Sequence, residues 1–213
     1  LAGILEERAL PLPLRRGVVT TLASVPRPLA HDTLLSLVEE PALGPAALTS
    51  LRRLRSEGTL DPVDPEALRP TLREEVCRGY RYGLVATSVR EGSLVAEAGT
   101  NAPSTSAGET HAFLTGELEG LRVRSLYRIL RILSLSYDPH RLESVQRALT
   151  SGKATRVSNA LELLDGILAR ADADLVLPFA EAGTDGVDVR EASRLLEDAE
   201  AVRRSPLDAL LGD

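Results

Sequence analysis

The chain has 213 residues, enough for one domain or one block of repeats with a substantial core. Apolar residues make up an ordinary 43%, but aromatics only 3%; Leu and Ala, strong helix formers that pack well between helices, dominate, so the composition favours an all-α domain. A net charge of −6 leaves no strongly basic footprint and argues against nucleic-acid binding, and the longest apolar runs, such as Leu175-Val176-Leu177-Pro178-Phe179-Ala180, are far too short to span a bilayer.

The first residues already read as helix, and the chain contains no Met, so a fragment of a larger protein is expected; no n-region, h-region and cleavage site stand in order. Pro11 and Pro13 are expected to end this first helix, since proline cannot continue one. Residues 14–25 then carry Leu14, Val18, Leu22 and Val25 on one side, up to Pro26 and Pro28. Residues 30–40 carry Leu34, Leu35, Leu37 and Val38. After Pro41 and Gly44-Pro45, residues 46–55 carry Ala47, Leu48, Leu51 and Leu54. These spacings are the 3.6-residue period of helices with one buried side.

A linker around Asp61-Pro62 leads to Asp64-Pro65, an N-cap followed by proline at the first helical position. The helical pattern then runs to about Val95, interrupted at Pro70, Gly79, Gly83 and Gly92. The lone cysteine, Cys77, excludes an internal disulfide framework and fits a reducing compartment; Val76 and Tyr80 beside it predict a buried thiol. Residues 98–108, rich in Gly, Ser, Thr and Ala, have nothing to bury and are expected to form a mobile loop. A second long helix over 109–137 carries Phe113, Leu114, Leu118, Leu121, Tyr127, Leu130 and Leu133, and is expected to pair antiparallel with the first.

Asp138-Pro139 opens the next helix by the same capping logic. Residues 142–149 are amphipathic, 150–155 are a polar break, and 156–168 are helical again. Helix, short turn with a basic residue, then helix is the form of one α-solenoid repeat. Its expected core is Leu161, Leu164, Ile167 and Leu168, with Glu162 facing solvent. A helix over 173–181, a turn at 183–186, and weaker helices over 188–204 and 206–211 complete the chain. The fold expected is thus an α-solenoid of stacked helical hairpins forming a single domain over residues 1–213.

Ser151-Gly152-Lys153-Ala154-Thr155 has the look of a phosphate loop. A true one needs Gly where Arg147 stands and Ser or Thr where Ala154 stands, after a strand rather than a helix. The segment reads as an interhelical turn, with Gly152 ending one helix and Thr155 capping the next. His31, His111 and His140 are isolated and lack the converging ligands of a zinc site. The pairs Glu39-Glu40 and Glu74-Glu75 are adjacent, so their side chains diverge on a helix and read as solvated charge. No nucleophile, base and orienting acid cluster, so no enzyme, cofactor, metal or small-molecule ligand is expected. Arg124, Arg128 and Arg131, beside Arg122, are the most suggestive polar group. Their i, i+4, i+7 spacing puts them on one helix face that could meet an acidic partner, an anionic headgroup or a phosphate, although the plainer reading is a solvated face paired with Glu117, Glu119 and the acid near Glu74.

Residues 156–168, with the run 126–135 before them, resemble the HEAT-repeat region of bacterial nucleotide-transporter-like proteins. These join an ATP/ADP-antiporter-type membrane domain to cytosolic HEAT repeats. Asn159-Ala160-Leu161-Glu162-Leu163-Leu164-Asp165 looks especially like the family's version, and residues 46–55 resemble an earlier repeat. The resemblance spans residues 12–182. It implies a HEAT-like scaffold in the cytoplasm, tethered through its parent chain to the inner face of a membrane, and supplies no catalytic residues. The function expected is a non-catalytic scaffold that binds a protein; the alternative is a cytosolic regulatory domain of a membrane nucleotide-transporter-like protein.

Overall fold

A computed structural model describes residues 10–25, 28–99, 105–151, 153–185, 192 and 194–197. Every regular element among these residues is an α-helix, so the chain is all-α as its composition predicts. In order they are α1 (Leu12–Leu22), α2 (Pro28–Ser36), α3 (Gly44–Ser56), α4 (Pro65–Gly99), α5 (Thr105–Ser136), α6 (Pro139–Leu149), α7 (Ala154–Ile167) and α8 (Arg170–Asp185).

The boundaries follow from a few residues. Pro11 precedes α1 and Pro13 lies in its first turn, where a missing N–H costs nothing; Pro13 therefore begins a helix instead of ending one. α3 ends in a Schellman turn: Gly58 takes φ +72°, and the N–H groups of Gly58 and Thr59 donate to the carbonyls of Arg55 and Leu54 at 3.3 and 2.9 Å. The Asp64 carboxylate accepts from the Glu66 N–H at 3.0 Å, as its position before Pro65 predicts. Asp138 does the same for α6, accepting from His140 N and Arg141 N at 2.9 and 3.3 Å. These bonds hold its carboxyl below the usual carboxylate range, the one from Arg141 contributing most.

Several expected boundaries move. α4 reaches Gly99 and α5 begins at Thr105, so residues 98, 99 and 105–108 of the expected loop are helical; residues 100–104 lie outside the described residues. α8 starts at Arg170, carries Pro178 inside it, and runs through the expected turn as far as Asp185. Most of the weaker terminal helices also lie outside the described residues.

The chain divides into two compact units. The first takes residues 1–72 and 130–168. In it α1, α2 and α3 pack on one another, α6 packs on α7, and α3 also meets α6, so packing is not confined to neighbours in the chain. Its core includes Val19, Leu34, Leu48, Leu51, Leu142 and Leu164, each at most 1% exposed. Glu39 and Glu40 diverge as their adjacency predicts, but neither is simply solvated: Thr71 Oγ1 donates to Glu39 at 2.9 Å, and Arg15 pairs with Glu40 at 2.8 Å. In α7 the buried stripe is Val157, Ala160 and Leu164, continued by Leu168 beyond its end; Leu161 and Ile167 are only half-buried, while Glu162 is exposed.

The second unit takes residues 73–129 and 169–213. Tyr80 meets Phe179 edge-on, with ring centroids 5.1 Å apart. Cys77 is buried, its Sγ 4.0 Å from the Leu195 carbonyl.

Candidate functional site

The sequence points to the arginines of α5, and the helix is continuous through all of them. Their side chains have different fates. Arg124 is 64% exposed, and its nearest acid is Glu117, 3.9 Å away and 61% exposed. Arg128 is only 17% exposed and lies 3.0 Å from Glu75 of α4. Arg131 is half-buried and belongs to the first unit, whereas Arg124 and Arg128 belong to the second. Arg122 reaches across to α8, donating to the Ala182 carbonyl at 2.9 Å. Burial lowers the Arg122 pKa, opposed by the charge of Glu119 and by Tyr80.

Glu75 is the acid that organises this region. It is 4% exposed and accepts from Arg78 at 2.9 Å as well as pairing with Arg128, while neighbouring Glu74 is exposed and pairs with Arg78 at 3.2 Å. Solvated charge describes Glu74 but not Glu75. Glu119 is engaged by Arg90 of α4.

Phe113 and Leu114, among the apolar residues this helix carries, are 67% and 44% exposed. The cause is helical phase. Phe113 precedes the fully buried Ile129 by sixteen positions, about 160° around the helix at 3.6 residues per turn. By the same geometry Phe113 lies within about 20° of Arg124, three turns further on. Between them, a Cβ at Gly116 would meet nothing within 4 Å, and at Gly120 only Arg124 Nη2 at 3.8 Å. α5 thus presents a strip with an aromatic ring at one end, low-relief backbone in the middle and a guanidinium at the other.

The break between α6 and α7 is an ordinary connection, capped differently from the expectation. Lys153 occupies the N-cap without a side-chain bond, Ser151 Oγ lies 3.4 Å from Lys153 N, and Thr155 is inside α7; Gly152 lies outside the described residues. Among the described residues, no group of three or more His, Cys, Asp or Glu is arranged to hold a metal ion, and no helix is long and apolar enough to cross a membrane. Compared with protein-family models, curated proteins and solved structures, the chain finds no significant match.

Proposed function

We propose that the chain is a non-catalytic helical scaffold of the HEAT-like, α-solenoid kind that binds a protein partner. Its docking face is the α5 side carrying Arg124, Arg128 and Arg131. The observation that carries this reading is the exposed pairing of Phe113 with Arg124 along one line of α5. An open aromatic ring supplies buried area to an interface at little entropic cost, and Arg can pair bidentately with a carboxylate. Arg124, with only a distant and exposed acid beside it, is the arginine best placed to change partners. Arg128 is held by Glu75, so its charge is largely compensated and it fixes that side of the helix without adding much free positive charge.

The test is recovery of partners from the source lysate by the whole chain and by a variant with Arg124, Arg128 and Arg131 all replaced by Ala. The variant's helicity is checked by circular dichroism. The expected result is capture that fades towards 1 M salt, where the Debye length is roughly 3 Å, and that the triple variant loses. If the folded variant captures the same proteins, this face is not the docking site.

A further inference from the structure

Within the first unit, α3 and the start of α6 enclose a small cleft of about 200 Å³, lined by Thr49, Arg52, Arg53, Ser56, His140 and Glu143. Two guanidiniums and an imidazole face one carboxylate, while the Thr49 and Ser56 hydroxyls already donate to the Pro45 and Arg53 carbonyls, both at 2.8 Å. Arg131 of α5 is outside this lining, but its charge acts on Arg52. Arg52 and Arg131 are each half-buried, their Nε atoms are shielded from solvent without a hydrogen-bond partner, and neither forms an ion pair among the described residues. The Arg52 pKa is lowered, first by burial and then by the charge of Arg131, with Glu143 opposing. Two like charges drawn out of water are costly unless counter-charge reaches them, and Glu143 is too exposed to serve both.

We propose that this cleft binds a phosphate-class oxyanion, either inorganic phosphate or the phosphate of a small phosphomonoester. Arg52 and Arg53, the two guanidiniums in its lining, are its charge partners. The cleft is smaller than the ~300–1,000 Å³ typical of small-molecule sites, so it suits an ionic group and not a whole cofactor. A phosphate dianion matches two guanidiniums in charge and offers tetrahedral acceptors to donors arriving from several sides, which a planar carboxylate does not. The side chains carry this site and the helix end does not, because Asp138 already takes the first N–H groups of α6.

The test is titration of the whole chain with inorganic phosphate, phosphoserine and acetate at matched ionic strength, followed by calorimetry. Saturable phosphate binding is expected, weaker by about tenfold or more in Arg52→Gln, which removes a charge-assisted bond. Glu143→Gln, on the exposed rim, is expected to tighten binding by removing a like charge. Equal affinity for phosphate and phosphoserine identifies the free ion as ligand; tighter phosphoserine binding identifies the monoester. The proposal falls if neither the wild type nor Glu143→Gln saturates with either phosphate probe. It also falls if a folded Arg52→Gln binds as the wild type does, or if acetate binds as tightly as phosphate.

Discussion

Gly79 sits where α4 and α8 approach closely. A Cβ there would run into the Phe179 ring, with Cε2 at 2.7 Å, and would press on Ser125 Cβ at 3.2 Å. Phe179 is 1% exposed and has no room to swing aside. Gly79→Ala is therefore expected to cost about 1–3 kcal/mol through overpacking, read as a lower denaturation midpoint; an unchanged midpoint would show that the contact yields. Glu75 makes a second residue-scale prediction. Glu75→Ala is expected to cost about 1–3 kcal/mol, because Arg128, 17% exposed, loses a carboxylate while Arg78 can still turn to Glu74 and water. Glu75 was partly legible in advance: it lies at i+3 from buried Leu72 and beside buried Val76, so helical phase places it inward despite its charge. The partner that makes its burial tolerable comes from another helix and leaves no trace in the local pattern.

At the scale of elements, the caps were the most readable features. Asp64-Pro65 and Asp138-Pro139 both start helices as their chemistry dictates, because N-cap and proline signals depend on adjacent residues alone. Pro13 was misleading for a related reason, since a first turn tolerates proline, whereas the helix expected through Pro178 is present. Because the Asp138 pKa is lowered by bonds present only in the folded chain, its contribution to stability is complete above the ordinary carboxylate value of 3.8 and is lost as pH falls through the lower folded value. Melting temperature followed from about pH 5 downward should fall less steeply for Asp138→Asn than for the wild type. Parallel curves would mean that this cap carries no such linkage. In α7, Leu164 is completely buried, so Leu164→Ala should cost about 2–5 kcal/mol. A melting temperature equal to that of the wild type would contradict its place at the centre of the stripe. The stripe was legible in period but slipped in phase, because Ala160 takes the inward place in preference to the larger Leu161.

At the scale of the whole molecule, composition and the 3.6-residue period were enough to establish an all-α chain. They did not reveal the two units, nor the meeting of α3 with α6, since both depend on contacts between segments distant in sequence. The arginines divided along the same line. Their shared helix face followed from spacing, but Glu75 beside Arg128 is a tertiary fact. The central claim is that the exposed α5 strip touches a protein, and site-specific photo-crosslinking tests it most directly. Position 120 accepts a photoactivatable side chain, since a Cβ there has only Arg124 Nη2 nearby, and exposed position 158 on α7 serves as the control. The expected result is a covalent protein adduct from position 120 in source lysate and none from position 158. Adducts from position 158 alone, or from neither position, would contradict docking through α5.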